Sequence, residues 1–304
     1  NAGNSIASGG NYNVAVGDEA GTAISTGDQN TLVGYRAGTA VNTSVNNVAV
    51  GMDSMLTNTT GDNNIAVGRE ALKRLTTSNE NVAVGSEALK ETITGTVNVA
   101  VGHKAGMQAT TADSSTFVGY QAGNSVDTAP LTGNANTAVG RNAGINLQGV
   151  AAANTLVGAF AGDGITTADD AVCIGYNVET SSATVGNQII IGVNRPGAGS
   201  NSVKFGVSGG TATLDLNGSD TSWAAASDAR LKKDVEDSTA GLSFIKDLRP
   251  ITFKWKAKNE VADTLYEYDA DSSDPVYGSG QTQHGFLAQE VKTVIDAHSE
   301  LKNG

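Results

Sequence analysis

A glycine preceded by a short apolar triplet returns at a fixed interval along residues 13–192, and that interval constrains the fold more than any other feature. Asn13-Val14-Ala15-Val16-Gly17 recurs as Asn30-Thr31-Leu32-Val33-Gly34 and as Asn47-Val48-Ala49-Val50-Gly51. Seven glycines, Gly17, Gly34, Gly51, Gly68, Gly85, Gly102 and Gly119, are 17 residues apart at every step. Gly140, Gly158, Gly175 and Gly192 follow at spacings of 21, 18, 17 and 17, making eleven copies with two short insertions. A unit this small cannot bury its own apolar face, so the copies must stack.

The order within each copy predicts one coil of a parallel β-solenoid: a short strand, a glycine turn, and a return segment rich in Thr, Asn and Gly. A small residue three places after the glycine, as at Ala20, Ala37, Ala71, Ala88, Ala105, Ala122, Ala143 and Ala161, implies close backbone approach at a corner. At one strand spacing of ~4.8 Å per coil, eleven coils make a shaft about 50 Å long. The triplets are apolar or nearly so throughout, as in Ile65-Ala66-Val67 and Ile189-Ile190-Ile191. A strand buried on one face alternates apolar with polar, so these are expected to be buried on both. One set of side chains then fills the coil, the middle residue faces another chain, and the protein is an oligomer. The Asn before each strand either forms a hydrogen-bonded ladder between coils or is simply a good turn residue.

Composition narrows the function. Of 304 residues 39% are apolar but only 5% aromatic, so any core is thin. Glycine occurs 38 times against 4 prolines, which favours ordered tight turns over a flexible low-complexity chain. A net charge of -12 disfavours nucleic acid as a partner. The single cysteine, Cys173, excludes an internal disulfide framework and a cysteine-based zinc site, and is expected to pack as a small hydrophobe. His103 and His298 show no metal spacing and are expected on the solvated surface, so no metal or cofactor is implied. No apolar run approaches the ~18 residues that span a bilayer, which argues against membrane insertion. The chain opens at Asn1 within a polar pattern, so an upstream portion is expected to precede it.

The Asn-x-x-x-Gly-x-x-Ala unit, over about residues 11–193, resembles the head repeats of trimeric autotransporter adhesins and related repeats of phage tail fibres. That resemblance implies a parallel β-roll in a homotrimer, though with a longer period than in those heads.

After Gly192 the pattern changes. Val203-Lys204-Phe205-Gly206-Val207 and Thr211 to Leu216 alternate as strands, so 194–226 reads as a β-rich connector between a shaft over 1–193 and a domain over 227–304. From Ser227 onward charged residues become common. Asp237 or Ser238 is placed to cap a helix carrying Leu242, Ile245 and Leu248 on one face and ended by Arg249-Pro250. Ile251, Phe253 and Trp255 then alternate as a strand.

Three segments of this domain, Ser227 to Val235, Leu248 to Trp255 and His284 to Val291, together resemble the peptidase S74 family, the intramolecular chaperone domain of phage endosialidases and tail fibres. The resemblance implies a small α+β domain that trimerises, holds the shaft strands in register and severs itself, with its final helix shortened or absent here. It carries a Ser-Lys pair over to Ser227 and Lys232, with the cut between Ala226 and Ser227. Arg230 and Lys233 are candidates for lowering the lysine pKa. His284 and Glu290 are placed either to orient the cleavage site or to satisfy core hydrogen bonds.

The whole is therefore expected to be mainly β: about eleven 17-residue coils in a homotrimer, then connector and chaperone, in a virion fibre exposed to the extracellular medium. Expected partners are two further copies, other virion tail proteins, and a host surface polysaccharide or protein receptor. No enzymatic activity is assigned to the shaft. The alternatives are a polysaccharide-depolymerising tailspike, which needs a carboxylate pair that the sequence does not single out, and a bacterial trimeric adhesin head. Asp18, Glu19, Glu70 and Glu87 fall in turns and are expected to be solvated.

Overall fold

The computed structural model describes residue 3 and residues 9–125, 129–207, 210–216, 242–264, 268–276 and 280–298. The chain divides into two compact units, Asn1–Ala226 and Ser227–Gly304.

The first unit is a parallel β-solenoid. Nine three-residue strands come first: β1 Val14–Val16, β2 Thr31–Val33, β3 Val48–Val50, β4 Ile65–Val67, β5 Val82–Val84, β6 Val99–Val101, β7 Thr116–Val118, β8 Thr137–Val139 and β9 Thr155–Val157. Two nine-residue strands, β10 Ala171–Glu179 and β11 Gln188–Pro196, follow, then β12 Ser202–Val207 and β13 Gly210–Asp215. Strand order equals chain order, and every pair up to β12 is parallel; β13 turns back antiparallel on β12. Register follows the repeat, Val48 pairing with Ile65 and Ile65 with Val82. The longer interval after Gly119 leaves it intact: Thr116 pairs with Thr137, and buried Leu131 rejoins the stack by bridging Ala109 and Gly149.

The glycines stack. From Gly17 to Gly192 each has φ between +122° and +156°, a region open essentially to glycine alone. A Cβ built on Gly51 would lie 2.6 Å from the carbonyl oxygen of Gly68 in the next coil. Backbones meet there without side chains between them.

One expectation about the strands is overturned. The middle residues, Leu32, Ala49, Ala66, Ala83, Ala100, Phe117, Ala138, Leu156, Cys173 and Ile190, are fully buried within their own coil and do not face another chain. The ladder Asn points inward, so the pleat turns the first and third strand residues outward and the middle one inward again. It is the outward pair that is also apolar, which is why the triplet reads as continuous.

The core is filled by complementary sizes. Where the strand centre is Leu32, Phe117 or Leu156, the residue four places after the stacked glycine is Gly38, Gly123 or Gly162; where the centre is Ala49, Ala66 or Ala83, it is Met55, Leu72 or Leu89; Ala15, Ala100 and Ala138 go with Gly21, Gly106 and Gly144, which lie against Leu32, Phe117 and Leu156 of the next coil. Met55, Leu72 and Leu89 adopt φ of +49°, +48° and +48°. A left-handed non-glycine residue costs on the order of 1–2 kcal/mol, and filling a coil that would otherwise hold a void offsets it.

Asparagine forms the ladder. The Asn47 amide N–H donates to Asn30 Oδ1 at 3.0 Å, and Asn47 Nδ2 donates to the same oxygen at 3.2 Å and to the Gly61 carbonyl at 2.9 Å. The pattern repeats through Asn64, Asn81 and Asn98, is carried across one coil by Ser115, and resumes at Asn136 and Asn154. Buried amides at the coil corner are thereby satisfied without water.

Candidate functional site

The second unit brings two of the three C-terminal sequence segments together. Helix α1 spans Leu242–Asp247 and stops one residue before Leu248. Strand β14, Ile251–Phe253, pairs antiparallel with β15, Gln283–Gly285, placing Thr252 opposite His284. Trp255 lies past the strand end, edge-on to Phe253 with ring centroids 5.2 Å apart. Helix α2, Ala288–Ala297, follows β15.

Glu290 lies in the first turn of α2, where a carboxylate suits the positive end of the helix. It accepts two hydrogen bonds from Arg249, at 3.0 Å from Nε and 2.5 Å from Nη2. That pairing holds the Glu290 carboxyl below the ordinary range and raises Arg249. Glu290 thus ties the segment before β14 to the one after β15, a structural task, and Arg249 is the partner the sequence did not reveal. His298 is not on the solvated surface: its Nε2 lies 2.9 Å from Asp247 Oδ2 and its ring meets Phe244 edge-on. Ala226, Ser227, Lys232, Arg230 and Lys233 lie outside the described residues, as do Asp237 and Ser238.

No described residue of this unit is buried. Instead Ile245, Trp255, Phe286 and Leu287 are each more than 40% exposed. Among the described residues of this unit, large apolar side chains therefore lack the burial that offsets chain entropy.

Residues 227–300 match the family model for the chaperone of endosialidase. The match falls within the second compact unit and leaves the solenoid outside it. A parallel β-solenoid followed by such a chaperone domain is the arrangement of a phage tail fibre or tailspike. No curated protein and no solved structure matches the chain. No helix among the described residues is long and apolar enough to cross a membrane.

On the solenoid, Asp18 and Glu19 are exposed as expected, whereas Glu70 and Glu87 are engaged in ion pairs rather than solvated. Glu70 takes Lys90 at 2.8 Å and Lys73 at 3.0 Å, and Asp53 takes Arg36 at 2.7 Å. The Lys90 hydrogen bond, helped by Lys73, brings Glu70 down to about 2. Cys173 is buried, and burial pushes its thiol up to about 12, so it packs as a small hydrophobe.

One carboxyl pair does form on the shaft. Glu179, at the end of β10, hydrogen-bonds directly to Asp163 of the preceding coil and accepts the Gly164 N–H at 3.0 Å. Burial first, and the Asp163 hydrogen bond second, push Glu179 up to about 8. Glycosidic pairs stand ~5–9.5 Å apart with sugar or water between them; two carboxyls in direct contact leave no such space.

The pair predicts an unusual pH response. The folded state holds a proton that the unfolded chain releases at the ordinary glutamate pKa, so Glu179 lowers shaft stability progressively as pH rises from about 4.5 to about 8. Glu179→Gln, which keeps a donor without a charge, is expected to raise the melting temperature at pH 8 and to flatten its dependence between pH 5 and 8. Melting curves of both proteins across that range check this; parallel profiles refute it.

Proposed function

We propose that the chain is the shaft and chaperone part of a fibre built as a homotrimer, that the fibre serves attachment of a virion to its host, and that the chaperone domain cuts itself off between Ala226 and Ser227. The observation that carries this reading is the outward sheet face. Its two residues per strand run from Val14 and Val16 through Val99 and Val101 to Ile189 and Ile191, Thr or apolar at every step from β1 to β11 and without a charge. Val14, Val101, Val157, Ile174 and Ile189 are among those at least 36% exposed. A continuous apolar face of that length exceeds what a soluble monomer leaves open. Copies of the same face, in the same register, are its natural complement.

The chaperone domain answers a kinetic difficulty of such an assembly. Flat strands of three near-identical residues fix register weakly, so one chain slides past another by a whole coil at little cost. The first correct contact also carries a large entropy cost. A domain that completes its own core only by association brings three chains together before the shaft is committed. Its exposed Trp255, Phe286 and Leu287 supply the surface for that. In this reading the partners are two further copies, other virion tail proteins, and a polysaccharide or protein receptor on the host.

The test compares the full chain with residues 1–226 expressed alone, by native mass and by yield of soluble trimer. The full chain is expected to give trimers, and the shorter one at least about tenfold fewer, with the remainder aggregated through the open sheet face. A monomeric full chain, or equal trimer yield from both, overturns the reading.

A further inference from the structure

Three features that run the length of the shaft all come to an end between Ala171 and Leu216. The first is the asparagine ladder. Asn154 Oδ1 accepts the Ala171 N–H at 3.0 Å, but Ala171 has no side-chain oxygen to pass the ladder on. Gln188, at the same place in the next coil, turns back on its own coil: Nε2 donates to the Val185 carbonyl at 2.7 Å and Oε1 accepts the Ser181 N–H at 3.1 Å. The second is the glycine stack. Gly206 pairs with Gly192 after 14 residues rather than 17, and the atoms next to it are the side chains of Arg195 and Thr211 where earlier coils have a further glycine. Arg195 is held there by donating from Nη2 to the Val207 carbonyl.

The third is the core. Lys204 pairs with Ile190 and so takes the inward position that is apolar in every strand from β1 to β11. Its ammonium donates to the Pro196 carbonyl at 2.8 Å, and burial first, then the Arg195 charge, hold it below the ordinary lysine range. Beyond it the sheet changes direction. β13 runs antiparallel with Thr213 opposite Lys204, and the Leu216 N–H returns to the Asn201 carbonyl at 2.6 Å.

We propose that β12, β13 and the Arg195 and Lys204 side chains form a built-in stop, which keeps a second copy of this chain from stacking a coil on the end of the shaft. The hazard comes from the repeat itself. Each coil offers the next the same triplet, the same stacked glycine and the same register, so Val14-Ala15-Val16-Gly17 of one chain offers the end of another the pairing it already makes with Thr31 to Gly34. A head-to-tail contact of that kind does not close, and it builds filaments. Solenoids need end units with a polar outer face, and sheets refuse further strands through inward-pointing charges and disrupted edges. A coil laid over this end would seal the Lys204 ammonium into an apolar column without a counter-ion. It would also press on the Arg195 side chain where a glycine backbone belongs, and meet in β13 a strand of the wrong direction. The inference goes beyond the function proposed above, because these residues precede Ala226 and stay with the shaft whether or not the chain is cut.

The test uses the full chain with a thrombin site inserted after Ala226, so that the second unit is removed after folding in every sample. Native mass and electron microscopy then read the length of the released rods. The unmodified shaft is expected to stay one unit long at every concentration. Lys204→Val combined with deletion of β13 is expected to give rods that lengthen in whole-unit steps, with at least about tenfold more material in multiples. Lys204→Val alone is expected to give the same steps in smaller amount, and Thr60→Val, on the exposed side of the shaft, to behave as the unmodified protein. Variants that stay one unit long overturn the proposal, as does an unmodified shaft that already elongates. So does loss of the β-sheet circular dichroism signal in both Lys204 variants, which would make the segment a requirement of the fold rather than a stop to it. Because thrombin replaces the natural cut, a wild-type chain that stays whole counts against the self-cleavage reading alone.

Discussion

Gly51→Ala is expected to prevent the shaft from folding past its third coil. At Gly51 φ is +133°, and an added Cβ would lie 2.6 Å and 2.7 Å from the carbonyl oxygen and carbon of Gly68. Both are backbone atoms, so no side chain can rotate away. The Gly51 amide N–H donates to the Val33 carbonyl at 2.8 Å, and the Gly68 amide to Val50 at 2.8 Å, so a shift that relieves the clash breaks the pairing of coils two to four. Strain of ~1–3 kcal/mol from the dihedral adds to the lost ladder bonds, for a total on the order of 4–5 kcal/mol, at the upper end for single substitutions. Coils contact only their neighbours, so the defect splits the stack rather than being spread over it.

The comparison that isolates this mechanism is Gly149→Ala. Gly149 also has positive φ, +57°, but its Cβ would meet only Thr167 Cγ2, at 3.9 Å. That variant is expected to cost only about 1–2 kcal/mol, the left-handed penalty alone. Circular dichroism melts of both proteins decide the matter. A Gly51→Ala shaft that melts with Gly149→Ala would show that the stacked glycines tolerate a side chain.

The repeat made much of this legible, because each structural demand recurs at one position. The stacked glycine leaves its mark eleven times and the corner alanine and the ladder asparagine eight times each, and repetition separates them from chance. What stayed hidden was of another kind. The direction of the strand centre was misread because Val48 and Val50 are as apolar as the residue between them, and composition carries the inward alternation only through Asn47. Left-handed Arg36, Asp53 and Glu70 have no signature, since a solenoid corner imposes their φ whatever the side chain. Glu179 and Asp163 meet only because stacking puts neighbouring coils side by side. Arg249 and Glu290 are 41 residues apart, and only the pairing of β14 with β15 joins them. Local pattern specifies the coil; contacts between distant segments need the fold itself.

Ser227→Ala and Lys232→Ala are each expected to abolish cleavage while leaving trimers intact. In the proposed step Ser227 Oγ gives its proton to the neutral Lys232 amine and bonds to the Ala226 carbonyl carbon. The C–N bond then breaks as that proton passes to the departing Ser227 nitrogen, leaving an ester between Ala226 and Ser227. Water adds to the ester carbon, the C–O bond breaks, and the products are an Ala226 carboxylate and a Ser227 with a free amine. Without the hydroxyl no ester forms; without the amine the hydroxyl keeps its proton and is a poor nucleophile. Intact mass reads the result directly, since the wild type yields two fragments meeting at 226/227 and each variant a single chain of 304 residues. The uncut variants have a second consequence. A shaft still joined to its clamp keeps a route back to the assembled state after unfolding, whereas a released shaft must find two partners in register unaided. Refolding from denaturant is therefore expected to recover trimers from Ser227→Ala and few from the cleaved wild type, whose persistence is kinetic. Cleavage that survives in either variant removes the Ser-Lys assignment, and equal recovery from both removes the argument that the cut locks the fold.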